Sequence, residues 1–356
     1  MRICQLLPTL SAGDAVGNEA RAIRDLLAGA GYETGIYAEK VDPLLPAGTG
    51  YPMGQMPELT DGDILLYHLS TGTRLNRLLP KLGGRKVIRY HNITPPEFFR
   101  HYSPRAYRRG KAGYEEMRFL ADKTGYVIAV SGYNREQLRE NGYTCPIDVC
   151  PLLISFSDYD TAPDPKVTAA YGEDDWTNLL FVGRIVPNKK QEDVIRAYAC
   201  YRRRYNPKSR LILAGSARGM ERYEGRLRSY VKTLGVEDGV IFTGYCSFEE
   251  ILAWYRAADA FVCMSGHEGF CVPLAEAMYF GVPIVAYRTA AVPETAGNGA
   301  LLLDSRDPET AAAAIHRTLT DGALKAYLLA EQEKQLAQYS YDNVRKRMLA
   351  CLAKEA

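Results

Sequence analysis

The chain has 356 residues, which is too long for a typical single domain and suits two. Its hydrophobic fraction of 47% is enough for full-sized cores, and 44 Lys and Arg residues nearly balance 42 acidic ones, giving a net charge of +2. A dedicated nucleic-acid-binding protein would be more basic, so we expect no nucleic acid partner.

Eight cysteines are scattered along the chain, and no pair has the C-x-x-C spacing of a zinc ligand set. Scattered cysteines without a disulfide framework indicate a reducing compartment, so we expect a cytoplasmic protein. The first residues read as a strand rather than a signal peptide. No run of about 18 apolar residues predicts a membrane span, so at most peripheral membrane contact is expected.

Strand-like and helix-like segments alternate from the N-terminus onwards. An apolar run at Arg2–Pro8 precedes a helix that Asn18 can cap and that extends from Glu19 to about Gly29. Further strands are predicted at 64–69, 86–90 and 125–130. This alternation predicts a parallel sheet with helices on both faces.

The same alternation starts again at Thr177, after a linker rich in Asp, Pro and Ser, SFSDYDTAPDPKV. Its strands are predicted at 178–182, 210–214, 240–243, 260–264 and 283–286. Ser247 and Glu250 form a capping box for a helix that ends near Ala258. The fold class is therefore α/β, with two similar units at 1–155 and 156–340.

The segment SGHEGFCVPLAEAMYFGVP, residues 265–283, carries the most chemical information. Pro273 suits the first position of a short helix and Gly281 the position just after it. Glu268 then lies in the loop before the helix and Glu276 within it. The loop Gly269–Cys271, which includes Phe270, points backbone N–H groups at whatever lies beyond the helix N-terminus, a place that favours phosphate.

A second segment, FVGRIVPNKKQ, follows a predicted strand. Gly183 permits a tight exit from that strand, and Arg184 with Lys189 or Lys190 can hold a diphosphate. Gly215 and Ser216 end the next strand, where a nucleotide can approach the backbone.

In the first unit, the loop SAGDAVGN joins the first strand to the first helix. Gly13 and Gly17 allow close approach of a ligand. The loop is not G-x-G-x-x-G, which weakens an oxidoreductase interpretation. His91 follows a strand end, where ligands bind in parallel sheets.

These motifs resemble those of retaining glycosyltransferases of the GT-B fold, family 4 (glycosyl transferases group 1), over nearly the full length. The resemblance implies two Rossmann-like domains whose sheets face a central cleft, with the last helix, 341–356, crossing back to the first domain. It implies that Glu268 and the backbone after it face the donor sugar and that Glu276 binds the ribose. Arg184 and Lys189 then bind the diphosphate. The reaction centre is implied to be lined by His91 and by the loop residues Gly13, Asp14, Gly17 and Asn18.

The loop departs from the family pattern, since many members have adjacent glycines where this chain has Gly-Asp-Ala-Val-Gly-Asn. The family resemblance implies transfer of a sugar from a UDP- or GDP-linked donor to a glycan or lipid-linked acceptor, in bacterial surface polysaccharide synthesis. No metal or other cofactor is expected. The D-x-D sequences at Asp61–Asp63 and Asp158–Asp160 are interpreted as turns, because one precedes a strand and the other lies in the linker.

Two other interpretations remain open from the sequence. One is a nucleotide-sugar hydrolase or epimerase on the same fold, and the other is a non-catalytic sugar-nucleotide-binding subunit. Glu97–Lys111, EFFRHYSPRAYRRGK, interleaves five basic residues with aromatics. That pattern favours either a solvated helix or docking to an anionic membrane.

Overall fold

A computed structural model describes residues 1–11 and 13–355. The chain divides into two compact units. The first contains Met1–Glu97, Arg105–Ser155 and Tyr339–Ala356, and the second contains Phe98–Pro104 and Phe156–Gln338.

The described residues of the first unit form a parallel sheet of seven strands, in the order β3-β2-β1-β4-β5-β6-β7. The strands are β1 Arg2–Leu10, β2 Glu33–Val41, β3 Tyr51–Pro52, β4 Ile64–Leu69, β5 Arg85–Tyr90, β6 Tyr126–Ala129 and β7 Ile147–Val149. The helices between β1 and β7 are α1 Ala15–Gly29, α2 Arg74–Leu78, α3 Pro104–Leu120 and α4 Gly132–Glu140.

Strand β4 shows why this sheet is central to the first unit. All six of its residues are buried. Leu65 and Tyr67 belong to one hydrophobic cluster, whereas Ile64 and Leu66 belong to another. Because successive side chains of a strand point to opposite faces, a continuous apolar run is what a sheet covered on both faces requires.

The described residues of the second unit form a six-stranded parallel sheet in the order β10-β9-β8-β11-β12-β13. Its strands are β8 Thr177–Val182, β9 Ser209–Ala214, β10 Val240–Gly244, β11 Ala260–Cys263, β12 Ile284–Tyr287 and β13 Ala300–Leu303. Its helices are α5 Pro165–Tyr171, α6 Gln191–Arg204, α7 Glu221–Leu234, α8 Phe248–Ala257, α9 Val272–Tyr279, α10 Val292–Ala296, α11 Pro308–Thr320 and α12 Gly322–Gln338.

The last helix, α13 Tyr341–Ala353, belongs to the first unit although it follows the second in the chain. Its buried residues Val344, Met348, Cys351 and Leu352 share a hydrophobic cluster with Ile23 of α1 and with strand residues of the first sheet. Ala356, the final residue of the predicted crossing segment, lies outside the described residues.

Three details differ from the sequence-based predictions. Asn18 does not cap α1: the helix begins one turn earlier, Asp14 occupies the cap position, and the Asn18 N–H donates to the Asp14 carbonyl at 2.8 Å. Pro273 is the second residue of α9 rather than the first. The segment Phe98–Pro104 clusters with the second unit, where the Phe98 ring lies 6.5 Å from the His267 ring.

Among the described residues, no helix is both long enough and apolar enough to cross a bilayer.

Candidate active site

Glu268 lies in the loop between β11 and α9, and it is only 6% exposed. Lys189 Nζ lies 2.6 and 2.7 Å from the two oxygens of its carboxylate. Ser265 Oγ donates to one of those oxygens at 2.7 Å. A carboxylate bound this closely by an ammonium is held in one orientation as well as neutralised.

Lys189 reaches Glu268 because two loops of the second unit are hydrogen-bonded to each other. Pro187–Lys189 form a single 3₁₀ turn after β8. The Asn188 carbonyl accepts from the Gly266 N–H at 2.7 Å, and Asn188 Nδ2 donates to the His267 carbonyl at 3.3 Å. These two bonds fix the loop of Lys189 against the loop of Glu268.

The pKa of Lys189 follows from this pair. Burial alone would lower the pKa, but the Glu268 carboxylate outweighs burial and the pKa is raised. Lys189 therefore stays charged at any physiological pH. An ammonium has three N–H donors, so the bonds to Glu268 leave capacity for one more acceptor.

Arg184 and the two glycines near it lie at the carboxyl ends of β8 and β9. Arg184 is exposed, and its guanidinium donates to the Arg218 carbonyl at 3.4 Å. Gly183 and Gly215 have φ angles of 144° and 151°. A Cβ on Gly215 would lie 2.0 Å from the Gly183 carbonyl oxygen, so the two strand exits cross in direct contact. The Ser216 carbonyl accepts from the Ile185 N–H at 3.0 Å, which continues this contact.

The N-terminus of α9 begins directly after the loop of Gly269 and Phe270. Cys271, at the cap position, has a φ of 76° and no side-chain capping bond. The Phe270 carbonyl accepts from Thr295 Oγ1 at 2.5 Å. The backbone N–H groups at this end of α9 and the positive end of its dipole suit an anion.

Glu276, one turn further along α9, has two phenolic partners. Tyr159 and Tyr255 each donate a hydrogen bond of 2.8 Å, one to each carboxylate oxygen. Burial raises the pKa of Glu276, and the two tyrosine hydroxyls oppose that rise without cancelling it. The carboxylate is thus oriented and retains acceptor capacity for a diol.

In the first unit, the predicted loop residues surround the start of α1. Gly13 has a φ of 70°, a conformation that glycine adopts without steric cost. Gly17 is buried, and a Cβ there would lie 3.0 Å from the Ser11 carbonyl oxygen. Asn18 Oδ1 accepts from Arg21 at 2.6 Å. Asp14 and Asn18 are exposed, and Ala12, between Ser11 and Gly13, lies outside the described residues.

His91 comes directly after β5, and its side chain is only 5% exposed. Its Nε2 lies 2.8 Å from Nδ1 of His68 and 3.5 Å from a carboxylate oxygen of Glu19. Glu19 is paired with the fully buried Arg89. Burial, and then the Arg89 charge, hold the pKa of His91 well below its ordinary value, so the ring is neutral.

Backbone strain among non-glycine residues concentrates at these same positions. In the described part of the chain, positive φ angles outside glycine occur at Asn92, Lys190, Cys271 and Ala290. Asn92 follows His91, Lys190 follows Lys189, and Cys271 caps α9. Ala290 precedes Ala291, whose N–H donates to the Glu268 carbonyl at 3.3 Å. Such conformations cost roughly 1–3 kcal/mol each and collect at functional sites.

Several site residues were not identified from the sequence. Ser265 and His267 flank the predicted Glu268, and proximity in the chain was the only signal for them. Tyr159 and Tyr255 come from the linker and from α8, and no motif connects them to Glu276. His68 is the penultimate residue of β4 and His91 directly follows β5, so the pairing of these adjacent strands brings the two rings together.

Among the described residues, two groups of side chains carry metal-binding atoms within 4.8 Å of one another: Glu19 with His68 and His91, and Cys263 with Glu268 and Cys271. In each group the carboxylate is already paired with a cation, Arg89 for Glu19 and Lys189 for Glu268. A metal ion at either place would have to displace or face that cation.

Comparison with known proteins connects this geometry to a family. Residues 169–342 match the family described as Glycosyl transferases group 1. O-antigen chain mannosyltransferase B of Escherichia coli is 28% identical over 300 residues, which are 82% of this chain and 75% of that protein. A Mycobacterium tuberculosis enzyme, the GDP-mannose-dependent alpha-(1-6)-phosphatidylinositol monomannoside mannosyltransferase, is 27% identical over 243 residues, 64% of this chain and 61% of that protein.

Among solved structures, Anabaena Alr3699/HepE in complex with UDP-glucose superposes with a TM-score of 0.75 at 19% identity. The superposition covers 99% of this chain and 100% of that one. At that identity the likeness concerns the fold, and it confirms the predicted fold class. The chain is therefore a glycosyltransferase that has the GT-B fold, and its residues 169–342 match the glycosyl transferases group 1 family.

Proposed function

We propose that this glycosyltransferase moves a hexosyl group from a nucleoside-diphosphate sugar to a glycan or lipid-linked acceptor, with retention of the anomeric configuration. The bond from the anomeric carbon to the diphosphate breaks, the acceptor oxygen bonds to that carbon, and the acceptor hydroxyl releases its proton. The observation that carries the proposal is the buried pair of Lys189 and Glu268, in the loop that leads into α9 within the group 1 domain.

The chemical demand of this reaction is charge on the departing diphosphate. Arg184 is exposed and positively charged, Lys189 stays charged and retains a donor, and the α9 N-terminus presents backbone N–H groups. Preorganised donors of this kind stabilise charge that grows in the transition state. We assign Glu268 and the backbone of Gly269–Cys271 to the donor sugar, and Glu276 to the ribose hydroxyls.

We propose that no metal ion takes part, because Arg184, Lys189 and the helix N-terminus supply the positive charge that a metal would otherwise bring. Transfer should then continue at its full rate in EDTA. Loss of turnover in EDTA, restored by a divalent ion, would contradict this part of the proposal.

The donor nucleotide is proposed to be UDP or GDP. A mycobacterial relative is named for GDP-mannose, and the Anabaena neighbour binds UDP-glucose. Thermal shift measured against a panel of nucleoside diphosphates identifies the base, since a ligand that binds only the folded state raises Tm. The matching nucleotide sugars, with mannose and glucose first, then identify the hexose.

Transfer is distinguished from its alternatives by incubating the protein with the donor alone and with the donor plus an acceptor extract. A new glycoside that appears only with the acceptor supports transfer. Free sugar or an altered donor, formed without acceptor, would indicate a hydrolase or an epimerase. Absence of any turnover by protein that binds the donor would indicate a non-catalytic binding subunit. The anomeric proton coupling of the product, measured by NMR, tests retention.

We place the enzyme in the cytoplasm, peripherally on the inner face of a membrane, where bacterial surface polysaccharide is built on lipid-linked acceptors. In the segment Glu97–Lys111, Arg100, Arg105 and Arg108 are exposed, whereas the aromatic side chains are partly covered. Exposed cations contribute about 1 kcal/mol each at an anionic membrane surface.

Vesicle co-sedimentation tests the membrane contact. Binding should need anionic lipid, weaken with added salt, and fall when Arg105, Arg108 and Arg109 are changed to Ser. If the protein remains in the supernatant with anionic vesicles at low salt, the membrane contact is wrong, and the transfer assay is unaffected by that result.

A further inference from the structure

Gln5, His68 and His91 form a chain of hydrogen bonds inside the first unit. Gln5 Oε1 lies 2.9 Å from His68 Nε2, and His68 Nδ1 lies 2.8 Å from His91 Nε2. Gln5 and His68 are fully buried. With solvent excluded, each contact needs one donor and one acceptor, so the proton positions along the chain are interdependent.

The Ala20 carbonyl fixes the first of these positions. It lies 2.9 Å from the Gln5 side-chain nitrogen, and a carbonyl can only accept. The nitrogen of the Gln5 amide therefore faces Ala20, and its oxygen faces His68. Since that oxygen also can only accept, His68 Nε2 must carry a proton.

The second position follows from the charge of His68. Burial, reinforced by the neighbouring His91, holds the pKa of His68 well below its ordinary value, so the ring is neutral. A neutral imidazole has one N–H. Because His68 Nε2 carries it, His68 Nδ1 is an acceptor, and the 2.8 Å contact requires a proton on His91 Nε2.

Glu19 supports the same assignment independently. One of its carboxylate oxygens lies 3.5 Å from His91 Nε2, where a proton is attractive and a bare lone pair would be repelled. Arg89 holds that carboxylate in place with two donors, at 2.5 and 3.2 Å. Both neighbours of His91 Nε2 are thus acceptors.

We infer that Gln5 and His68 are positioning residues that hold His91 in its Nε2–H tautomer, so that Nδ1 of His91 is an unprotonated acceptor for a substrate hydroxyl. Within the described part of the chain, Nδ1 of His91 has no hydrogen-bond partner. The inference rests on the proposed function only for the placement of His91 at the reaction centre. The Nε2–H tautomer limits Nδ1 of His91 to accepting a hydrogen bond or a proton. It therefore excludes donation of a proton from this nitrogen to the leaving group.

A metal ion bound by Glu19, His68 and His91 is the competing interpretation of this cluster. A metal would need bare nitrogens at both histidines, whereas one of the two nitrogens that meet must carry a proton to make their hydrogen bond. It would also face the Arg89 guanidinium across Glu19. Both features favour the hydrogen-bonded chain over a metal site.

The tautomer can be measured in the wild-type protein by long-range ¹H–¹⁵N correlation of ¹⁵N-histidine-labelled enzyme at pH 7.5. The chain has five histidines, so His68 and His91 can be assigned by substitution. We expect both rings to be neutral, each with a protonated Nε2 and an unprotonated Nδ1. A protonated Nδ1 on either ring overturns the inference. So does a metal-bound pattern that appears with Zn²⁺ and disappears with EDTA.

A matched pair of variants tests the consequence for the reaction. In His68→Asn the amide oxygen can stand where Nδ1 stood and accept from His91, whereas His68→Leu removes the acceptor. We expect His68→Leu to show mixed His91 tautomers and a kcat about tenfold or more below that of His68→Asn, with the donor KM changed less than about threefold. Circular dichroism and Tm show whether each variant is folded.

Equal kcat values in two folded variants, with wild-type transfer intact, would overturn the positioning role. Absence of transfer by the wild type would instead remove the proposed function and leave the tautomer result to be judged by itself.

Discussion

Glu268 and Glu276 lie in one short segment, yet their surroundings give them different chemistry. Glu268 is bound by an ammonium and a serine hydroxyl, and Glu276 by two tyrosine hydroxyls. An ammonium neutralises a carboxylate, whereas phenols orient it and leave its charge in place. Substitutions at the two sites should therefore fail in different ways.

Removing Lys189 should affect both stability and activity. Lys189→Ala leaves the Glu268 carboxylate buried without its cation, so we expect the free energy of unfolding to fall by about 3 kcal/mol and kcat to fall. The double variant Lys189→Met with Glu268→Gln should recover most of that stability in urea unfolding but no transfer. Equal stability of Lys189→Ala and the wild type would contradict the buried pair.

Arg184→Ala is the matched control for Lys189→Ala, because it removes a positive charge that is exposed rather than buried. Because Arg184 is exposed, its loss should change the free energy of unfolding by less than about 0.5 kcal/mol. It should nevertheless raise the donor KM and lower kcat, since the guanidinium opposes charge that grows in the transition state. If both Arg184→Ala and Lys189→Ala keep a near wild-type kcat/KM, the diphosphate assignment is wrong.

Substitutions of the two glutamates should separate nucleotide binding from turnover. Glu276→Ala should weaken nucleoside diphosphate binding by about tenfold, equivalent to roughly 1.4 kcal/mol, because a ribose contact is lost. Glu268→Ala should lower kcat with diphosphate binding nearly intact. Calorimetric titration of both variants with the same nucleotide checks this, and the reverse pattern would mean that the roles are exchanged.

The buried His267 ring should make the free energy of unfolding sensitive to acid. Burial lowers its pKa from 6.5 to about 4, so folding favours the neutral ring. The stabilisation is fully present above about pH 6.5 and is lost as the pH falls toward 4, because the unfolded chain takes up the proton first. From pH 7.5 to 5, the wild type should lose about 2 kcal/mol more of its free energy of unfolding than His267→Gln. Parallel pH profiles of the two proteins, from urea unfolding, would contradict the neutral buried ring.

Among the elements of the second unit, the proposed donor site depends on strand exits and helix starts more than on the sheet itself. The exits of β8 and β9 touch through Gly183 and Gly215, and the capping box of Ser247 and Glu250 is present as predicted. Capping boxes are local, so a spacing of three residues is enough to predict one. The contact between the two glycines is not local, since it depends on two strands becoming neighbours.

Gly215→Ala tests that contact. A Cβ at Gly215 would lie 2.0 Å from the Gly183 carbonyl oxygen, and the φ of 151° is unfavourable for alanine. We expect a loss of about 2 kcal/mol or more in the free energy of unfolding, with weaker donor binding. Gly225→Ala in α7 is the control, since a Cβ added there would have no neighbouring atom within 4 Å and alanine favours helices. A neutral Gly215→Ala would show that the strand exits can separate without cost.

Helix α13 returns the end of the chain to the first unit. Its buried face consists of Val344, Met348, Cys351 and Leu352. The local sequence predicts an amphipathic helix but not its partner, because an apolar stripe can pack on either unit. The family resemblance, rather than the stripe, indicated the first unit.

Met348→Ala should therefore destabilise the first unit. Loss of a fully buried methionine costs about 2–5 kcal/mol, and hydrogen exchange should accelerate in α1 and β4 more than in the second unit. Lys346→Ala, an exposed change on the same helix, should leave both measurements unchanged. Faster exchange confined to the second unit would contradict the packing of α13.

Features that depend on neighbouring residues in the chain are predictable from the sequence. The apolar runs predicted most strands, since a strand buried on both faces must be continuously apolar, and the glutamate segment placed Glu268 before α9 and Glu276 within it. The short edge strands β3, β7 and β13 are not predicted, because they carry too few residues to show a pattern. The nine-residue strand β2 is not predicted either, because polar residues interrupt its apolar run. The start of α1 was placed a turn late, because Ala15–Gly17 resemble a loop until they pack.

The partners of these residues follow from the fold and not from local sequence. Lys189 and Glu268 are 79 positions apart, and Tyr159 is 117 positions from Glu276. The proton on His91 depends on Gln5 and His68, which come from other strands. Periodicity and spacing describe one segment at a time, whereas charge state, tautomer and orientation are set by atoms that strand pairing and loop contacts bring within about 3 Å.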